Sequence, residues 1–337
     1  MPNSARLASF SLAVCGLFLL LVPSFCTAKN RPPSVSLFPR LQAGQTFAYQ
    51  ISYHSHKDIQ TLSTVIVATP ADSAKIDVNA MLSLEILGVQ AQGNRAVIRA
   101  RAQFEVLNSD SQLKSPQLGT PEKQLQKQDG EGKFIEFTIL SDGRLDQVTG
   151  LDAFFPDQQQ AWQEWASRFL LGAEFRNSGV RIAQKWNSVQ SEKTPAPLAG
   201  LRWIRESTYV RDEPCRALQL TVEGSLAASD AEPETCAVIL TTANLNQDSN
   251  AKNSTPEDFK LHQLRTTGTV RGANRIITYI SLKTGLVVRA TEEASQQMNV
   301  TVAKADGSNR VRYDVDAKSH SQVVLVVHAL LDPKNSQ

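Results

Sequence analysis

The sequence predicts a mainly β protein with one prominent helix. That is an α+β chain in which a long, curled antiparallel sheet or half-barrel is covered by the helix. Three observations carry this reading: strict apolar/polar alternation over long runs, turn residues between those runs, and a single stretch with helical apolar spacing. The composition, 41% apolar and 20% charged, is that of a chain that folds. A formal net charge of +2 and a sequence pI of about 8.3 lack the basic excess of a nucleic-acid binder.

Residues 1–28 read as a secretory signal peptide. Arg6 is the only charge, an apolar run follows from Phe10 to Val22, and Cys26-Thr27-Ala28 offers a small-residue cleavage site. The apolar run is too short to cross a bilayer of roughly 30 Å, and no later run is longer, so no transmembrane span is expected in the mature chain. Cleavage leaves two cysteines, Cys215 and Cys236, and an even pair in an oxidising compartment suggests one disulfide. If 217–223 and 237–241 form a hairpin, however, the two cysteines sit at its opposite ends, and bridging requires the loop to fold back.

After an extended leader at 29–43, containing Pro32, Pro33 and Pro39, alternation begins. Phe47, Tyr49, Ile51 and Tyr53 share one face, and Gln50, Ser52, His54 and His56 share the other. In 76–86 the apolar positions are Ile76, Val78, Ala80, Leu82, Leu84 and Ile86. In 96–106 they are Ala96, Ile98, Ala100, Ala102, Phe104 and Val106, opposite Arg95, Arg99, Arg101 and Glu105. Gln92-Gly93-Asn94 joins these two runs as a long hairpin with one dry face. Strands this long twist and coil, which suits a sheet curled around its own apolar side.

Residues 108–132 are polar and read as a long excursion. Ile135, Phe137 and Ile139 alternate before a turn at Asp142-Gly143. The helix is expected over about 157–171, where Trp162, Trp165, Ala166, Phe169 and Leu170 form one apolar stripe ended by Gly172. The plain reading of this stripe is core, with the helix plugging the sheet; a ligand-stacking role for Trp162, Trp165 and Phe169 is the functional alternative. Residues 187–200 are linker-like. Strand patterns then return at 201–210, 217–223, 237–241, 261–270, 275–282, 286–292, 297–303, 310–315 and 321–329. Turns are expected at Gly272–Asn274, Lys283–Gly285 and Asp306–Asn309, and an exposed loop at 243–258. Val323–Val327 is apolar on both sides, as in a strand covered on both faces. The organisation expected is an N-terminal β half at 44–186 and a C-terminal half at 201–331, packed as one domain.

The segment Leu41-x-x-Gly44-Gln45-x-Phe47-x-Tyr49, with the Ser141-Asp142-Gly143-Arg144 and Lys283-Thr284-Gly285 hairpins, resembles β-rich secreted bacterial proteins in families of unknown function. The resemblance implies an envelope or secreted protein, periplasmic or released, without an assigned activity. By architecture alone the chain is also similar to periplasmic lipoprotein carriers of the LolA type, but no residue carries over.

Catalytic strings are missing: there is no Gly-x-Ser-x-Gly, His-Glu-x-x-His, Cys-x-x-Cys, Walker loop or Gly-x-Gly-x-x-Gly. His54, His56 and Asp58 alternate on one strand face and are the nominal metal ligands, with a solvated strand end as the bland reading. His328, in an apolar strand, reads as a core histidine and His320 as a loop residue, and nothing places these or His262 with that pair. Arg95, Arg99 and Arg101 read as sheet solvation rather than an anion site. The expectation is an exported, non-catalytic β protein without a cofactor that binds a lipid-like amphiphile or an envelope protein. The alternatives are an exported metal-dependent hydrolase built on His54 and His56, and a purely structural envelope component.

Overall fold

The computed structural model describes residues 34–63, 72–92, 95–114, 134–140, 145–153, 179–191, 197–220, 226–229, 232–247 and 255–328. The signal peptide and the helix expected at 157–171, with Trp162, Trp165 and Phe169, lie outside the described residues.

Alternation matures into long strands. They are β1 (Thr46–Ser63), β2 (Asp72–Gln92), β3 (Arg95–Lys114), β4 (Phe134–Ile139), β5 (Leu145–Thr149), β6 (Lys185–Ser191), β7 (Leu201–Cys215), β8 (Leu218–Leu220), β9 (Leu226–Ala228), β10 (Glu234–Gln247), β11 (Leu264–Ser281), β12 (Val287–Lys304) and β13 (Val311–His328). A five-residue helix, α1 (Glu257–Leu261), and a 3-10 turn at Leu151–Ala153 are the helical elements among the described residues. All strands join one sheet in the order β5-β4-β3-β2-β1-β13-β12-β11-β10-β7-β6, with β8 and β9 off this path. Two meanders therefore meet where the last strand pairs the first, through Tyr49↔Leu325 and Ile51↔Val323. Pairing is antiparallel except that β8 runs parallel to the end of β13 at Val326–His328. Of the run Val323–Val327, the residues Val323–Val326 are buried at every position, as a two-sided apolar pattern requires, whereas Val327 is exposed.

Several punctuation signals do not end strands. Gly272–Asn274 lies inside β11, paired to β10 on one side and β12 on the other. Ladder bonds to two neighbours hold that backbone extended, so local turn preference loses to sheet pairing. Likewise β3 continues to Lys114 through the polar stretch read as an excursion, because β2 supplies partners as far as Ser73↔Lys114. The segment read as an exposed loop at 243–258 begins inside β10 and ends in the first residues of α1. The hairpin turn at Lys283–Gly285 does form. There Gly285 has φ +74°, and an added Cβ would collide with the backbone of Phe38 and Pro39.

That close approach reflects how the segment preceding β1 docks. Val35 exchanges two backbone hydrogen bonds with Val180, each 2.8 Å. The Arg40 N–H donates to the Thr284 carbonyl at 2.7 Å, and the Gly44 N–H donates to the Ile86 carbonyl at 2.8 Å. Leu37 is thereby buried, and residues 35–44 touch both meanders at the same end of the sheet.

The main core lies at that end. Tyr49, Leu82, Leu84, Ile98, Phe137, Ile139, Tyr209, Ile239, Ile280, Val287 and Leu325 belong to one buried cluster. Tyr49, Leu82 and Leu325 lie side by side in register on one face of the sheet, its inner face. Cys215 and Cys236 are joined by a disulfide in this cluster, with Cα atoms 5.8 Å apart. The hairpin pictured from sequence is replaced by direct pairing of β7 with β10, which sets Cys215 opposite Glu234 and Cys236 opposite Glu213. The cysteines thus reach one another without the loop folding back.

Candidate functional site

Along β1, β2 and β13 the inner face changes character with distance from the core. Leu82 and Ala80 are fully buried. Two to four residues further on the same face, Tyr53 is 37% exposed and Ile76 is 41% exposed. Pairing of β1 with β2 is regular throughout, with Tyr53↔Val78, Ser55↔Ile76 and Ile59↔Asp72, so no slip has moved these side chains to the other face. On β13 the same face continues through Ala317, Val315 and Tyr313, all half-buried. Ser55, Lys57, Thr61, Asp72 and Ser319 are polar positions on the same face. Half-exposed aromatic and branched side chains spread over three adjacent strands, with polar positions between them, make a surface that an apolar chain can cover.

On the other meander a polar band interrupts the inner face. Ser207 and Thr241 share a hydrogen bond of 2.7 Å between buried hydroxyls. The Asn274 amide donates to Glu292, and the Ser321 hydroxyl donates to the same carboxylate at 3.4 Å. Glu292 is only 5% exposed, and a carboxylate so placed stays only where donors surround it. Beyond the band a second apolar cluster forms from Leu198, Leu201, Leu245, Val270 and Val300, against Trp203 and Met298.

The outer face carries the histidines. His54 and His56 do share it, as their spacing predicts, but each is bound to a different carboxylate. His54 Nδ1 lies 2.6 Å from Asp77 Oδ1, across the strand pair. His56 Nε2 lies 3.1 Å from Asp58 Oδ2, along its own strand. Among the described residues no group of three or more His, Cys, Asp or Glu side chains is placed to share a metal ion. His320 falls directly opposite His54, with ring centroids 6.5 Å apart and planes inclined by 21°. The loop expected at His320 does not form: β13 runs unbroken from Val311 to His328, because β1 and β12 pair it on both sides, and this brings His320 opposite His54. His262 ends α1, with Nδ1 2.7 Å from the Asp258 carbonyl oxygen. His328 is the last residue of β13.

Arg99 and Arg101 of the basic run are paired to neighbouring carboxylates. Arg101 donates twice to Glu136, at 2.7 and 3.0 Å, lies 3.7 Å from Glu85, and covers the Phe134 ring at 5.0 Å. The Glu136 hydrogen bond is the main cause that raises the Arg101 pKa. Arg99 adds a contact of 3.8 Å to Glu136. These are cross-strand ion pairs of a solvated sheet face. No helix among the described residues is long and apolar enough to cross a membrane.

No family model matches the chain, and no curated protein matches it. Among solved structures it is similar to a candidate lipoprotein from Parabacteroides distasonis ATCC 8503, at 7% identity and a TM-score of 0.27, over 87% of this chain and 98% of that one. It is similar to a candidate exported protein with a YmcC-like fold from Bacteroides fragilis NCTC 9343, at 9% identity and a TM-score of 0.23, over the same shares of each chain. It is also similar to lipovitellin, at 11% identity and a TM-score of 0.41, over 84% of this chain but only 25% of that one. At these scores none of the likenesses assigns a function.

Proposed function

We propose that the protein works outside the cytosol as a non-catalytic β protein that holds an amphiphile against the inner face of its sheet. Export is supported by the signal-peptide pattern at 1–28 and by the Cys215–Cys236 disulfide, which suits an oxidising compartment. The observation that carries the binding reading is the apolar stripe that leaves the buried core and continues, half-exposed, through Tyr53, Val78, Ile76, Val315 and Ile59. From Tyr53 to Ile59 it runs about 20 Å at roughly 3.4 Å per residue, a length suited to an extended acyl chain. Covering it removes apolar surface from water, which is favourable in proportion to the area covered.

The test is titration of the mature chain with a fluorescent long-chain fatty acid, and lipid extraction of the native protein followed by mass spectrometry. Saturable binding that weakens at least about tenfold in Ile76→Asp, with an unchanged fold, supports the reading; a charge on an apolar contact face costs well over the 1.4 kcal/mol that tenfold represents. The absence of saturable binding and of extracted lipid, or equal binding by Ile76→Asp, overturns it.

A further inference from the structure

We propose that His54 and His320 form a two-imidazole site for a divalent transition-metal ion on the outer face of the sheet, where the first strand meets the last. The two residues are direct cross-strand partners. Side chains so placed have Cβ atoms about 4.5–5.5 Å apart. Their rings already stack at 6.5 Å between centroids. An ion bound at about 2.0–2.1 Å from each imidazole needs two ring nitrogens within roughly 4 Å. Both side chains are exposed, so the His320 ring can turn toward His54 while His54 Nδ1 keeps its contact with Asp77.

The surroundings orient the pair for this task. Asp77 sits 2.6 Å from His54 Nδ1. A carboxylate only accepts, so the Nδ1 that faces it carries a proton, and in the neutral imidazole Nε2 then keeps its lone pair for a metal. A carboxylate behind a histidine is the usual outer support of a metal ligand. Glu293 lies opposite His320 in register on the far side. Across four adjacent strands the order is therefore Asp77, His54, His320, Glu293. The nearest cations in register are Arg275 beside Glu293, and Lys75 and Lys318 on either side of His56. Asp58 and Asp316, opposed one row further, offset them. Imidazole ligands select Cu2+, Ni2+ or Zn2+ over Mg2+ or Ca2+, and affinity follows the order that peaks at Cu2+. Two protein ligands leave the other positions of the ion to water.

The experiment uses the mature chain without a polyhistidine tag, titrated with CuCl2 and NiCl2 by calorimetry, with EPR of the Cu2+ complex. The expected result is one ion per chain, EPR couplings from two imidazole nitrogens, and a rise in melting temperature that EDTA reverses. His54→Asn and His320→Asn each weaken binding at least about tenfold, Asp77→Asn weakens it about 10–100-fold, and His56→Asn leaves it unchanged. Circular dichroism of each variant without metal separates lost binding from lost fold. Failure to take up one ion per chain overturns the proposal. So does unchanged uptake by folded His320→Asn, or loss of uptake in folded His56→Asn, which would assign the ion to the same-strand pair.

Discussion

Strands β1, β2 and β13 alternate apolar and polar residues along most of their length, yet their two ends differ. At one end Tyr49, Leu82 and Leu325 are sealed beneath the docked segment 35–44 and within the main core. At the other end Tyr53 and Ile76, on the same face, meet solvent. The second meander shows what is missing there: its far end has a cluster of its own, built on Leu201, Leu245 and Val270. Alternation thus assigns a side chain to a face, while burial depends on whether another part of the chain covers that face.

The largest expected effect tests this contrast directly. Leu82→Ala should cost about 2–5 kcal/mol, because it empties a fully packed position. Ile76→Ala should cost less than about 1 kcal/mol, since the side chain already contacts water. Urea unfolding of both variants measures the difference. Equal losses would mean that the Ile76 end is covered as fully as the other, and the comparison would fail.

A smaller effect follows from the disulfide, which belongs to the sealed end. Cys215 and Cys236 are separated by 21 residues in sequence, and closing a loop of that size stabilises a fold by roughly 3 kcal/mol in the chain-entropy model. Replacing both with serine should lower stability by that order. Hydrogen exchange should show faster opening of β7 and β10 while the β1–β13 pairs near His54 and His320 keep their protection. Uniform loss of protection over all strands would show that the two ends open together.

This contrast also marks how far the sequence is legible. Tyr49, Ile51, Leu82, Leu84, Ile98 and Ala100 were readable as a dry face because period two is a local property. Ile76 obeys the same period and was expected to be hidden, but its exposure depends on covering elements that periodicity does not encode. Gly272–Asn274 carries turn chemistry inside a continuous strand, because β10 and β12 hold it from both sides. His54 was legible as a candidate ligand and His56 as its neighbour on the face. Its partner His320 was not, since register between strands so far apart in the chain is a product of the completed sheet.

The smallest effect concerns two tyrosines of the sealed end, Tyr49 and Tyr209, whose hydroxyls are treated differently. The Tyr49 hydroxyl is buried without a hydrogen-bond partner among the described residues. The Tyr209 hydroxyl donates to Asp212 at 2.5 Å. Removing an unsatisfied buried hydroxyl relieves a desolvation penalty, so Tyr49→Phe should stabilise by about 1 kcal/mol at neutral pH, while Tyr209→Phe should destabilise by about the same amount. Burial also pushes the Tyr49 phenol well above its usual range. A raised pKa in the folded state means that the contribution to stability is complete below about pH 10 and is lost as pH rises beyond the unfolded value. Above pH 10 the wild type should therefore lose roughly 1 kcal/mol per pH unit more than Tyr49→Phe, since one phenol ionises only in the unfolded chain. Parallel stability curves for the two proteins between pH 10 and 11 would place the Tyr49 hydroxyl in contact with water and remove it from the sealed end.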